Sequence, residues 1–312
     1  MEAKSRSLRG KLEYQTWYRG DGDEGFPATR ILLPPAGHFD QVAAFICIEL
    51  IRNGASNDLK KAFARTEALI DLAIERLRMA DEAIVGLCGE MLLLRALVTA
   101  ADPAQTTNVV ESWKGFRETA RDFQLGQVGL EVKTTTGLAS SHPIQGVHQV
   151  EVGHGVDGVA ESDFFLVSIG IHRLNPHEDG DSTSLAALVD DILNSLRTST
   201  APNSRAVEDS FLRALTQYGS PVDLGYDHAV TAGDSVLARP FRQTFVRCYD
   251  MSDVNIQVID SDQVRSKPNV ELPSLSYRIN LPEQVSGDVN PVAGLNVAAD
   301  HVLRRANWSH TH

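Results

Sequence analysis

Cysteine is scarce in this 312-residue chain. Cys47, Cys88 and Cys248 are odd in number, far apart and without CxxC spacing, which excludes a disulfide framework and a zinc ribbon and points to a reducing cytoplasm. Long apolar runs are missing too. No 18 consecutive apolar residues occur, and the basic, polar start has no apolar stretch behind it, so neither secretion nor a membrane partner is expected. Positive charge is in deficit: 29 basic against 41 acidic residues give a formal charge of −12, so charge alone will not coat a polyanion and any such substrate must be gripped locally. Internal repeats and low-complexity tracts are absent. What remains, 42% hydrophobic and 22% charged, describes a globular chain with one large core or two modest ones.

Charge and Gly/Pro punctuation divide the chain into an accessory region at 1–82, a core at 83–172 and an α+β region at 173–312. In the first, Gly20 to Gly25 reads as a polar loop and Gln41 to Arg52 as an amphipathic segment. Leu59 to Arg78 reads as a helix with an apolar stripe through Leu59, Phe63, Leu69, Leu72, Ala73 and Leu77. Ala83 to Ala101 reads as a buried helix, because Glu90 and Arg95 are its only charged residues. Strand-like segments follow at Thr106 to Trp113, Thr119 to Leu125 and Val128 to Thr135, the last two joined as a hairpin at Gly126-Gln127. Next come a short helix at His142 to Val152 and a buried strand at Phe164 to Ile171. Beyond a polar loop at 172–182, Leu185 to Leu196 and Val207 to Tyr218 are patterned as helices. Pro221 to Tyr226 reads as a loop or edge, Val236 to Arg239, Thr244 to Tyr249 and Leu275 to Leu281 as strands, and Val292 to Arg305 as a closing helix. The acidic block from Asp157 to Asp191 reads as a solvated face.

Glu90 is the sharpest feature. An unpaired carboxylate costs several kcal/mol to bury, so a Glu in GLCGEMLLLRAL needs a metal, a basic partner or a raised pKa, or else it marks a wet stripe with a salt bridge to another element. Asp122 and Glu131-Val132-Lys133 come second. Alternation puts Glu131 and Lys133 on one strand face, and the hairpin brings Asp122 beside them. Two carboxylates at a strand edge are hard oxygen ligands suited to Mg²⁺, and the lysine can orient the attacking water and offset phosphate charge. The alternative is an exposed cross-strand ion pair. Glu2-Ala3-Lys4 has the same spacing without that context.

These residues, Glu90 on a helix and Asp122 with Glu131-x-Lys133 on consecutive strands, resemble the PD-(D/E)XK nuclease superfamily over roughly 84–172. More narrowly, GLCGEMLLLRAL, Trp113-Lys114-Gly115, Arg121-Asp122-Phe123, LEVKTTTG and the Gln149 segment resemble an uncharacterised bacterial group within it, and Ser276 to Leu281 extends the likeness toward the C-terminus. The resemblance implies an α/β restriction-endonuclease-like core of order α-β-β-β-α-β, a mixed sheet flanked by helices. It implies Asp122 and Glu131 as metal ligands, Lys133 positioning the nucleophilic water, and Glu90 as auxiliary ligand or orienting acid. The cofactor would be Mg²⁺, with Mn²⁺ as substitute. The substrate would be DNA, cut by the cleaving subunit of a restriction or anti-phage system, with ATPase, helicase or methyltransferase subunits or a second copy as partners. A silent DNA- or protein-binding subunit and an RNA-directed nuclease are the alternatives. The family's proline is replaced by Arg121.

Thr134, Thr135 and Thr136 read as phosphate donors or simply as strand formers, and Gln149 and Gln145 as substrate neighbours or surface residues. His142, His148, His154 and His172 lack zinc spacing, Gly153 to Gly158 lacks the strand and helix that a phosphate cradle needs, and Ser140-Ser141-His142 lacks a nucleophile elbow.

Overall fold

The computed structural model describes every residue except 1, 2, 10, 11, 19, 21–23, 34–38, 76–78, 118, 120, 154, 159, 176, 177, 179, 220–224, 232–236 and 309–312. Leu77, His154, Val236 and much of the polar loop at 20–25 and of the loop or edge at 221–226 therefore lie outside the described residues. The chain forms two compact units, Met1–Met79 and Ala80–His312.

In the first unit a short helix α1 (Arg6–Arg9) precedes an antiparallel pair, β1 (Leu12–Trp17) and β2 (Phe26–Ile31), then helices α2 (Phe39–Arg52) and α3 (Leu59–Glu75). Its core gathers Leu8, Leu12, Ile46, Phe63 and Ile70. The buried stripe of α3 is Ala62, Phe63, Thr66, Glu67 and Ile70, whereas Leu59, Leu69 and Leu72 are exposed. A polar contact shifts the stripe: Glu67 Oε1 accepts from the backbone N–H groups of Lys4 and Ser5, which turns that face inward.

The second unit starts with α4 (Asp81–Ala100), which packs against β4, α6 and α10. By length and composition α4 could cross a membrane, yet 67% of its apolar window is buried inside this unit. Next is α5 (Thr106–Ser112), where a strand is expected. The reason is local: Asp102 caps a 3₁₀ turn with Pro103 in its first turn, accepting from Ala104 N at 2.9 Å, and Thr106, Thr107, Val109 and Val110 are buried at helical spacing. β3 (Phe123–Leu125) and β4 (Val128–Thr135) form the hairpin across Gly126, whose φ of +61° suits glycine.

Where a helix is expected at 142–152, β5 (Ser141–Gln145) pairs instead with a strand far downstream, β8 (Ser276–Asn280), and a 3₁₀ turn at Val147–Gln149 follows. A non-local partner of this kind leaves no local periodicity. β6 (Asp163–Arg173) runs parallel to β4. After α6 (Leu185–Thr198), α7 (Ser204–Gln217) and α8 (His228–Thr231), β7 (Phe241–Asp250) pairs antiparallel with β6. α9 (Ser261–Arg265) and β8 precede β9 (Val292–Ala293) and the closing helix α10 (Leu295–Arg305). The result is a mixed α/β unit whose five-stranded sheet has order β3-β4-β6-β7-β9. β7 and β9, from 173–312, complete the sheet begun by β3, β4 and β6, within the compact unit Ala80–His312.

β6 is the sheet's centre, with Phe164 to Ile171 buried throughout, as a strand covered on both faces requires. On one face Phe164, Leu166 and Tyr249 pack with Ile144, Ile279 and Leu281 of the β5–β8 layer. Each such side chain contributes roughly 1.5–3 kcal/mol by leaving water.

Candidate active site

Asp122 stands where β3 enters the sheet. Its backbone N–H donates to Leu130 O at 3.0 Å, and its Oδ2 accepts from Val132 N at 2.7 Å, so the side chain ties itself to β4 between Glu131 and Lys133. Glu131 and Lys133, two residues apart on β4, meet as an ion pair at 2.7 Å. The Lys133 ammonium also donates to Gln149 Oε1 at 3.1 Å, and the same oxygen accepts from Gln145 N at 3.0 Å.

Glu90 approaches from α4 and is buried. Trp113 Nε1 donates to its Oε2 at 2.7 Å and the Tyr218 hydroxyl to its Oε1 at 2.5 Å. The Trp113 and Tyr218 rings stack with centroids 6.1 Å apart. Gly115 completes the nook, since a Cβ there would strike Glu90 Oε2. Glu90 thus lies on no wet stripe, and among the described residues no cation forms an ion pair with it. Its neutral donors resolve the problem posed by a carboxylate in an apolar helix.

The electrostatics join these groups. Burial pushes Glu90 up to about 7, against the pull of Tyr218 and Trp113 and with help from Glu131. Burial also holds Asp122 well above the carboxylate range, reinforced by Glu131 and Glu90. Burial alone would lower Lys133, but Glu131, Asp122 and Glu90 leave it above its ordinary value. When ionised, three carboxylates against one ammonium carry a surplus of negative charge, and a divalent cation fits that surplus and the hard oxygen donors. Asp122 and Glu131 are the candidate ligands. Both Glu90 oxygens are taken by hydrogen bonds, and among the described residues no three Asp, Glu, His or Cys side chains form a metal-holding group.

Arg121, in the place of the family proline, is fully buried over the Phe164 ring at 3.7 Å. Its Nε and Nη2 both lie 2.8 Å from Glu161 oxygens, while Nη1 and Nη2 donate to His148 O at 2.5 Å and Glu151 O at 2.6 Å. The guanidinium thereby fastens the β4-to-β6 crossover, which carries Gln149, beside Asp122. Most of the acidic block faces solvent, as expected: Glu178, Asp181, Asp190 and Asp191 are exposed and Asp163 is half-buried, whereas the Glu161 side chain is buried.

Other candidates fall elsewhere. Thr134 turns toward Gly89 of α4, its Oγ1 buried and, among the described residues, without a hydrogen-bond partner, and Thr135 Oγ1 accepts from Gly137 N at 3.0 Å. His142 is buried, its Nε2 2.8 Å from Ser168 Oγ, which donates in turn to Ser140 Oγ at 2.9 Å. Burial, with Lys133 and Arg278, lowers His142 to about 4. Sequence reasoning missed Tyr218 and Glu161. No sequence signal marks either, because each acts through a partner in a distant segment.

Over residues 36–223 the chain matches the family model described as "Putative PD-(D/E)XK family member, (DUF4420)". The chain belongs to this PD-(D/E)XK family. The match spans Glu90, Asp122, Glu131, Lys133, Gln149, Glu161 and Tyr218, and stops before β7, β8 and α10. Neither a search of curated proteins nor one of solved structures returned a match.

Proposed function

We propose that this DUF4420 member is a metal-dependent endodeoxyribonuclease with a restriction-endonuclease-like core, acting as the cleaving subunit of a cytoplasmic restriction or anti-phage system. The observation that carries the reading is the convergence of Asp122, Glu131 and Lys133 on the β3–β4 hairpin inside a PD-(D/E)XK match. Asp122 and Glu131 would hold Mg²⁺, with Mn²⁺ as substitute. When bound, such an ion supplies Lewis acidity at a phosphoryl oxygen and acidifies water.

The chain's own groups do the rest. Lys133, braced by Glu131 and Gln149, orients the attacking water and offsets charge on the pentacovalent phosphorus. The water oxygen bonds to phosphorus and the bond to the 3′ oxygen breaks, leaving a 5′-phosphate and a 3′-hydroxyl. Glu90 is the orienting acid that shapes the Trp113–Gly115 turn beside Asp122. Helicase, ATPase or methyltransferase subunits, or a second copy of the chain, would deliver DNA to an acidic enzyme.

Plasmid, phage and modified DNA incubated with the purified protein in Mg²⁺, Mn²⁺ or EDTA test this. Cleavage should need the cation and vanish in Asp122→Ala, Glu131→Ala and Lys133→Ala. Undiminished cutting by Glu131→Ala overturns the assignment. The formal charge of −12 favours a second reading, a nuclease-fold subunit that binds without cutting. Cation-independent binding with no cleavage in any arm would establish it, and cleavage of RNA alone would redirect the activity.

A further inference from the structure

The β5–β8 ribbon is two-faced. His142, Ile144 and Ile279 are buried against the main sheet, while Pro143, Gln145, Ser276, Arg278 and Asn280 are exposed and Ser141 is half-exposed. In a chain of formal charge −12, this outer face has no carboxylate and one cation. Among the described residues Arg278 has no acidic partner; its Nη1 donates to Ser141 O at 3.2 Å, and it lies opposite Pro143 in the register. The acidic residue nearest Arg278 in sequence, Glu283, lies past the end of β8 and is engaged by Arg247 at 2.5 Å. One end of the ribbon touches the candidate site, since Gln145 N and Lys133 Nζ share Gln149 Oε1.

We infer that the outer face of the β5–β8 ribbon reads base edges in the major groove of duplex DNA beside the scissile phosphate, with Arg278, Gln145 and Asn280 as the reading side chains. The inference rests on the proposed nuclease function and supplies its recognition surface. A B-DNA major groove about 12 Å wide admits a two-stranded ribbon, Arg pairs bidentately with guanine, and Asn or Gln with adenine. Five-residue strands extend about 17 Å, long enough to cover several base pairs. The buried inner face holds the ribbon rigid. Duplex RNA is the poorer fit, because its major groove is too deep and narrow for side chains to read. β5 lies inside residues 36–223 and β8 outside them, so Arg278 and Asn280 belong to the part of the chain beyond the family match.

The test sequences the ends that the full-length protein makes on mixed plasmid and phage DNA in Mg²⁺. Wild type should prefer particular bases near the cut. Arg278→Ala should relax that preference at least about five-fold at one position, and Arg205→Ala, which removes an equal charge from an exposed position on α7, should not. Ends without base preference, an unchanged preference in Arg278→Ala, or equal loss in Arg205→Ala overturns the inference while leaving the nuclease reading intact. If wild type cuts nothing, that reading fails by itself, and fluorescence anisotropy decides the ribbon. Selective loss of duplex-DNA affinity in Arg278→Ala supports it, whereas equal wild-type affinity for duplex RNA and duplex DNA overturns it.

Discussion

Tyr218 donates its hydroxyl to Glu90 across 2.5 Å and 128 residues of chain. That contact, with Trp113 on the other oxygen, turns a costly carboxylate into a satisfied one. Tyr218→Phe removes one of the two donors and should cost about 1–3 kcal/mol. For a chain of this size that corresponds to roughly 2–4 °C of Tm per kcal/mol. A melting curve matching wild type would refute the role.

Glu90 also sets a pH dependence. Its pKa is raised from 4.5 to about 7, so across that window the folded chain holds a proton that the unfolded chain has released, and the stability contribution falls as pH rises. His142 acts oppositely: lowered from 6.5 to about 4, it makes stability fall as pH drops through that range. Comparison with Glu90→Gln cancels the histidine. In EDTA the Tm difference between Glu90→Gln and wild type should grow in favour of the variant from pH 5 to 7; a flat difference counts against a raised Glu90.

Asp122 is held well above its ordinary range by burial, Glu131 and Glu90. Asp122→Asn should therefore melt above wild type at pH 8 without metal, and the gap should close when Mg²⁺ or Mn²⁺ is added to wild type alone. A cation that raises both Tm values equally would argue against Asp122 as a ligand.

Gln149 braces Lys133 without touching Glu131's share of the ammonium. Loss of that brace in Gln149→Ala should lower kcat up to about 10²-fold with little change in KM, the expected result of misplacing a reacting group by an ångström. A KM effect alone would make Gln149 a substrate contact instead.

The Arg121–Glu161 pair is buried on both sides. Glu161→Gln leaves the guanidinium charge uncompensated and should cost about 3–5 kcal/mol. Thermal melting checks the size of the effect, and a loss below 1 kcal/mol would show that the carbonyls of His148 and Glu151 hold the crossover unaided.

Some of this was legible in the chain as written. The apolar run around Glu90 reveals a buried helix, because nothing so poor in charge can face water. The hairpin at Gly126 and the alternation of Glu131 and Lys133 are local properties of strand geometry, so the meeting of Asp122 with both could be read from spacing. Sequence motifs likewise placed the chain among PD-(D/E)XK proteins. Tertiary structure alone decided the rest. The segment after Ser140 became a strand because β8, more than 130 residues downstream, completes its hydrogen bonds. Glu90 found Tyr218, and Arg121 found Glu161, only when distant elements packed around one sheet. Local propensity records the backbone's neighbours within a turn or a hairpin; the partners that satisfy a buried charge are chosen by which surfaces the core brings together.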